Sequence, residues 1–369
     1  MVAGTAVSRV SVPGSKTAQA ITRIHAGKIL DRDELAAAFL PVLEAEFNGA
    51  DVAWGALMSA LHARSPTPAE TLGLVDAILE FDPELRHQLQ TRRDIGTGRR
   101  VVAITGSGKE TFKTFNVSTT AAFVAAVHPD LCVIKPAGQA TSATTGASDV
   151  LESLGIHLPT SLTQVRTMAG ECGIGVFDYH LVAPRYGPRY EGRFHHLHPL
   201  SYVTPWLFIP FRVDGIVFGI AGPQVELAAT IMALSGIAHG AVVTTDLGAA
   251  GRIDEYAPFG TALLASISEG AVRTTRRDRE TPTDLRSIQQ RADHAQNATI
   301  VLDVLRGQGP DLASQLVYAN AALILEVAGL AADHHTALTM AEGFVRSGDA
   351  LARLDACRAS GTPSGGLSG

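Results

Sequence analysis

The sequence predicts an α/β protein: a small all-helical domain, then a larger α/β domain whose central, mainly parallel sheet is flanked by helices. Three observations carry this expectation. Residues 33 to about 89 repeat apolar side chains at helical spacing and hold no strand-like run. From Val101 onward, short β-branched runs alternate with helix-like stretches, the pattern of a parallel sheet covered by helices. The chain has 369 residues, 46% of them hydrophobic, enough for a large core and two structural units.

Taken in order, "DRDELAAAFLPVLEAEF" opens with the acidic residues that suit a helix N-terminus. "ADVAWGALMSALHAR" and "TPAETLGLVDAILEF" follow, the second carrying Thr67 and Glu70 as a capping box. "VVAIT", "LCVIK", "GIVFGI" and "GAVVTTD" are the strand candidates; "STTAAFVAAVH", "ASDVLESLG" and "QVELAATIMALSGIAHG" are the intervening helices. An irregular stretch from 182 to 211 interrupts the alternation, and long loops inside compact domains are often functional. The C-terminal third is helical again. The expected division is an N-terminal extension (1–24), a helical domain (25–95) completed by helices from about 160–200, an α/β domain (96–159 and 201–358), and a disordered tail (359–369).

Composition narrows the class. Net charge is −6, pI is near 6.1 and no basic stripe is present, so nucleic acid is not the expected partner. No apolar run reaches the roughly 18 residues a membrane span needs, and the first residues lack the apolar segment of a secretory signal. The three cysteines are scattered without a CxxC pair, so neither a disulfide framework nor a zinc site is expected, which fits a reducing cytoplasm. The "HHLH" cluster lacks the i,i+4 pair of a helical zinc site.

"VVAITGSGKETFKTFNVST" (101–119) looks like a nucleotide loop but fails both common patterns. The P-loop needs Gly where Ala103 stands and Ser or Thr where Glu110 follows Lys109. The dinucleotide fingerprint needs a third glycine that "TGSGKE" does not supply. "TFNVST" instead sets an amide and three hydroxyls at the start of an apolar helix, where free backbone N–H groups favour an anion. Two such segments in tandem suit a diphosphate. Lys109 and Lys113 are read equally well as phosphate contacts or as exposed charges.

Glycines after a strand followed by T-x-N-x-S-T resemble the signature of the anthranilate phosphoribosyltransferase family, which shares its fold with pyrimidine nucleoside phosphorylases. Here the residues run from Thr105 to Glu110 and then from Thr114 to Thr119, in a loop about two residues longer and without the family's Asp. "KPAGQATSATTGASD" keeps Lys135, Ser142, Gly146 and Asp149 of a second family segment. "VAPRYGPRY", "GRIDEY" and "GQGPDLASQLVYANAALILEVAGL" match further segments in the family's order, so the resemblance spans about residues 30 to 355.

The resemblance implies a magnesium-dependent phosphoribosyltransferase acting on phosphoribosyl pyrophosphate and a small-molecule acceptor, assembled as a homodimer through its helical domain. It implies donor binding by Thr105, Gly106, Gly108, Thr114, Asn116, Ser118, Thr119, Lys135 and Ser142. Ser118, Asp254 and Glu255 would hold Mg2+, whose preference is for hard oxygen ligands. The family's acceptor groups are missing. Gly138 stands at its Asn, Leu197 and His198 fall where an Arg-bearing turn is expected, and "LFIPFR" replaces N-L-L-G-P-L. The carboxylates and aromatics nearby suit instead a cationic or polyhydroxylated acceptor, such as a hydroxyl of the aminoglycoside neamine in antibiotic biosynthesis. Glu191, Asp178 or His195 would serve as general base. Three rivals remain: a nucleoside phosphorylase, an aromatic-acid phosphoribosyltransferase whose clamp is rebuilt from Arg185, Arg189 or Arg193, and a non-catalytic nucleic-acid-binding relative.

Overall fold

The computed structural model describes residues 15–45, 47–138 and 146–360. Ser142 and the tail beyond residue 360 therefore lie outside the described residues. Five helices come first: α1 (Lys16–His25), α2 (Arg32–Glu44), α3 (Phe47–Arg64), α4 (Pro68–Phe81) and α5 (Pro83–Gln90). Within the stretch read as an N-terminal extension, α1 packs on α2 and α3, with Thr17 Oγ1 donating to the Ala38 carbonyl at 2.7 Å. Capping boxes start α2 (Asp31 with Glu34) and α4 (Thr67 with Glu70). Glu70 is fully buried, and its carboxylate accepts from the amides of Leu30 and Thr67 and pairs with Arg64. A buried carboxylate satisfied on every side fixes how these helices meet.

The α/β unit follows in the order β1 (Arg100–Gly106), α6 (Val117–Ala125), β2 (Leu131–Ala137), α7 (Ala147–Ser153), α8 (Leu162–Cys172) and β3 (Ile174–Asp178). Two short helices, α9 (Tyr186–Tyr190) and α10 (Thr204–Leu207), punctuate the segment read as irregular. Then come β4 (Gly215–Gly219), α11 (Val225–Leu234), β5 (His239–Asp246), β6 (Arg252–Ile253), β7 (Thr261–Ser268) and β8 (Ala271–Asp278). The chain closes with α12 (His294–Leu305), α13 (Asp311–Val327), α14 (His334–Arg346) and α15 (Asp349–Ser360). No described helix is long and apolar enough to cross a membrane.

The sheet runs β3-β2-β1-β4-β5-β7-β8, with β6 paired to β5. The five strands from β3 to β5 are parallel, and β7 and β8 close one edge antiparallel. The parallel strands are buried on both faces, which explains their unbroken apolar runs. Val101, Ala103, Ile216 and Phe218 join a core shared with α11 and the helical unit; Val102, Ile104, Val133 and Val217 join a second core under α6, α12 and α13.

Two expectations need correction. Helix α8 lies in the stretch expected to complete the helical unit, yet it packs on β3 and α15. Its Val165, Met168, Ala169 and Cys172 are apolar and buried, so that edge of the sheet is where they are satisfied. Cys172 and Cys357 are joined as a disulfide between α8 and α15, with their Cα atoms 5.3 Å apart across 185 positions of sequence. Spacing motifs detect local cysteine pairs and are blind to one made by tertiary packing, so the scattered cysteines carry no information about compartment.

The segment after β3 is tied to the helical unit by Asp82. Its Oδ1 caps α5 at the Leu85 amide (3.1 Å), while Oδ2 accepts from the amides of Arg185 (2.9 Å) and Tyr186 (2.8 Å). Asp82 has no exposed surface. Asp82→Ala would strand three buried amides, so unfolding in urea is expected to show a loss of about 3 kcal/mol or more, with Asp82→Asn costing less.

Candidate active site

The C-terminal ends of β1 and β2 and the residue just beyond β3 open on one cleft, the usual place for a ligand in an open α/β sheet. Its empty space, open mouth included, is about 1040 Å3. One wall is the loop after β1 with the start of α6, contributing Thr105, Gly106, Gly108, Thr114, Asn116 and Ser118. Lys135 and Gly138 come from the end of β2, Tyr179 from just beyond β3, and Asp254 and Glu255 from just beyond β6. Tyr190, Thr204, Pro205 and Phe208 of the connecting segment cover the opposite side.

Asp254 is locked onto the glycine loop. Its Oδ2 accepts from the Gly108 amide at 3.1 Å and from Ser107 Oγ at 3.3 Å. A Cβ on Gly106 would meet that oxygen at 2.7 Å, and a Cβ on Gly219 would collide with the Asp254 carbonyl. The glycines are needed for this close approach. Glu255 is buried, takes a hydrogen bond from Thr114 Oγ1 at 2.7 Å through Oε1, and has no partner at Oε2. Burial, then the charges of Asp254 and Glu110, push its carboxyl well above the usual range. Burial, then Asp254, also push the Glu110 carboxyl up to about 7.

Two buried lysines face these acids. Lys135 Nζ donates to Ser118 Oγ at 3.0 Å, and Lys109 Nζ donates to the Phe194 carbonyl at 2.5 Å. Burial pushes each ammonium down to about 8. Buried polar atoms without a hydrogen-bond partner gather here: Asn116 Oδ1, Glu110 Oε2, Glu255 Oε2, Tyr190 Oη and Tyr179 Oη. Such atoms are rare in folded proteins, and their concentration at a cleft marks a place for a polar ligand.

An unpaired carboxylate oxygen in a cleft that a second carboxylate and a hydroxyl also line fits a divalent cation. The described residues hold no cluster of three or more acidic, His or Cys side chains with metal-site geometry. Asp254, Glu255 and Ser118 thus fit Mg2+ that takes its remaining oxygens from a phosphate-bearing substrate, as that ion usually does.

The expected site residues divide cleanly. Thr105, Gly106, Gly108, Thr114, Asn116, Ser118, Lys135, Asp254 and Glu255 share the cleft. Thr119, on the first turn of α6, is buried with an unpaired hydroxyl and does not line it. His195 is exposed and outside the lining. Asp178 and Glu191 do not line the cleft either; they flank His180, with Asp178 Oδ1 at 2.6 Å from Nδ1 and Glu191 Oε2 at 3.2 Å from Nε2. The hydrogen bond to Asp178, against burial, raises the His180 pKa. Tyr179 stands beside this trio: burial, then the Glu191 carboxylate, raise its phenol.

Sequence reasoning missed Tyr179, Glu110, Gln290 and Phe208, all of which line the cleft. The available signal for Tyr179 was a polar aromatic at the end of a short apolar run, "IGVFDY". Its ring is stacked on Phe208 at 4.7 Å between centroids, and a Cβ on Gly138 would meet that ring at 2.5 Å. Arg185, Arg189 and Arg193 do not line the cleft: the first lies over Phe81, the second donates to the carbonyls of Val42, Leu43 and Ala45, and the third pairs with Asp51.

Comparison with known proteins agrees with this architecture. Residues 98–351 match the model of the glycosyl transferase family a/b domain, and residues 18–82 that of the family's helical bundle domain. An anthranilate phosphoribosyltransferase of Desulforudis audaxviator is 31% identical over 363 residues, covering 91% of this chain and 94% of that protein. One from a Shewanella strain is 29% identical, covering 89% and 92%. Among solved structures, anthranilate phosphoribosyltransferase from Thermus thermophilus has a TM-score of 0.72 at 21% identity, covering 92% of this chain and 98% of that one. The Saccharomyces cerevisiae enzyme in complex with PRPP and Mg has a TM-score of 0.73 at 18% identity, covering 94% and 98%.

Two outcomes are expected. Gly219→Ala forces the 254–255 segment off β4 and should lower the melting temperature by the equivalent of about 1–3 kcal/mol, with loss of activity. A raised His180 pKa stabilises the fold fully below the unfolded value of 6.5, and the contribution disappears as pH rises through the folded value. His180→Gln should therefore cost roughly 1–2 kcal/mol at pH 6, and the gap to wild type in denaturant titrations should narrow by pH 9.

Proposed function

As the chain belongs to the glycosyl transferase family that joins a helical bundle to an a/b domain, and is a phosphoribosyltransferase, we propose that it moves 5-phosphoribose from phosphoribosyl pyrophosphate, with Mg2+, to a hydroxyl of an amine-bearing polyol such as an aminoglycoside. The single observation that carries the donor half is the convergence of Asn116, Ser118, Asp254 and Glu255 on one cleft with Lys135. In this reading the first-turn amides of α6, with Asn116 and Ser118, bind the diphosphate and ribose. Lys135, beside Ser118, orients a phosphate as a point charge. Asp254 and Glu255 hold Mg2+, which supplies charge neutralisation for the departing diphosphate. Tyr190, Phe208 and Pro205 cover the cleft and limit the access of water to the ribosyl cation.

The acceptor half is supported by what fills the acceptor end. The Tyr179 ring occupies the space that an Asn side chain at position 138 would need. The three arginines able to rebuild a carboxylate clamp are engaged elsewhere. Asp178 and Glu191 flank His180 beside the Tyr179 ring without lining the cleft themselves, and Glu191 is the general base in this reading. A second reading, anthranilate as acceptor, is favoured by the names of the relatives.

Diphosphate release measured with neamine and with anthranilate decides between them: faster turnover of neamine is expected, and faster turnover of anthranilate overturns the acceptor assignment. Asp254→Asn should lower kcat roughly 100-fold with either acceptor, and normal turnover by that variant would remove the metal role.

A further inference from the structure

Lys109 has no part in the reaction as described, and its setting is unusual. It follows Gly108 in the loop after β1, is 4% exposed, and lines the cleft. Its hydrogen-bond partner is a neutral carbonyl, that of Phe194, and its ammonium lies 5.8 Å from the centre of the Tyr190 ring. Among the described residues no carboxylate lies within ion-pair distance of it, although Lys135 and Lys109 are the only cationic side chains of the described cleft wall. A buried ammonium balanced by a carbonyl and a ring face is poorly compensated, and an anion entering the cleft is its natural counterpart. The buried His198 above it has no partner on either ring nitrogen and is driven toward the neutral form by burial first and then by the Lys109 charge. Among the described residues the carboxylate whose charge acts on Lys109 is that of Glu110, which is paired with Lys113.

We propose that Lys109 is a further catalytic residue, which donates to the diphosphate of the sugar donor and neutralises the charge that builds there as the bond to ribose breaks. This deepens the phosphoribosyl-transfer reading and rests on it. In the step, the C1–O bond breaks with its electron pair leaving on the diphosphate, the acceptor oxygen bonds to C1, and the acceptor proton passes to the base. Lys109 keeps its proton throughout and contributes position and charge. Lys135 donates to Ser118 Oγ from the end of β2, so the two ammonium groups line the cleft from different elements.

The test is calorimetric binding of inorganic diphosphate with magnesium to the wild-type protein, Lys109→Met and Lys109→Arg, followed by steady-state kinetics with whichever of neamine or anthranilate turns over. Lys109→Met is expected to bind diphosphate at least tenfold more weakly, to raise the donor KM and lower kcat, and to leave the acceptor KM within twofold. Lys109→Arg should recover part of the loss. The methionine variant should melt no lower than wild type, since it removes a buried charge, which separates this role from a structural one. Diphosphate binding unchanged in the methionine variant overturns the proposal; a raised acceptor KM alongside it would assign Lys109 to an acceptor carboxylate instead. Failure of the wild-type protein itself to bind diphosphate with magnesium would sink the phosphoribosyl-transfer reading, a different result from failure of the variant to differ.

Discussion

The Asp254 carboxylate, seated on the glycine loop, is the contact around which the site is arranged. It draws the segment beyond β6 against the ends of β1 and β4, through the Gly108 amide and Ser107 Oγ. Ser107 is itself fixed by β4: its amide donates to the Gly219 carbonyl at 2.8 Å and its Oγ accepts from the Ala221 amide at 3.1 Å. A side chain larger than hydrogen at Gly106 or Gly219 cannot coexist with this packing. The "TGSG" run thus has a packing reason independent of phosphate, which accounts for its failure to fit either nucleotide-loop pattern. The loop serves first to hold an acid in place.

That arrangement is electrostatically uncomfortable in the protein alone. Burial, and then the repulsion of neighbouring carboxylates, pushes the carboxyls of Glu110 and Glu255 up, while burial weakens the ammonium groups of Lys109 and Lys135. Several cleft oxygens lack hydrogen-bond partners as well. The two cores on either side of the sheet stabilise a fold that carries this cost. A ligand bearing both metal and phosphate charges relieves both halves at once, since the cation meets the carboxylates and the phosphate oxygens meet the lysines and amides. A neutral ligand relieves neither, so the preorganised charges argue for a donor that carries both kinds of charge.

What could be read from sequence divides along physical lines. The parallel strands β1, β2, β4 and β5 were legible because burial on both faces leaves an unbroken apolar run. The β7–β8 hairpin was not. "AVRTTRRD" is an exposed edge strand whose charges hide its alternation, and its turn at Glu269 and Gly270, both at positive φ, lacks the usual Asn-Gly signal. The hydroxyl segment "TFNVST" was legible because a helix start dictates which side chains face an anion. Lys109 was undecidable: its burial depends on Phe194 and Tyr190, some eighty positions away, and no local pattern encodes that. The Cys172–Cys357 pair escaped for the same reason.

The cleft wall after β2 shows how one small residue sets the packing of its neighbours. Position 138 lies in the cleft wall directly after β2, and a glycine there admits the Tyr179 ring from the end of the neighbouring strand. That ring is held between Phe208 and His180, with centroid separations of 4.7 and 4.6 Å, so it is not free to swing aside for a larger side chain. His180 is held in turn by Asp178 and Glu191. One small residue is therefore linked through a stacked aromatic to a pair of carboxylates held on His180, and it leaves a ring-lined wall at that end of the cleft. Meanwhile Arg189, on α9, spends its donors on the end of α2. A planar carboxylate brought to this wall would have to rely on Lys109, whereas in the proposed reading a polyol would meet the phenols of Tyr179 and Tyr190 with its hydroxyls.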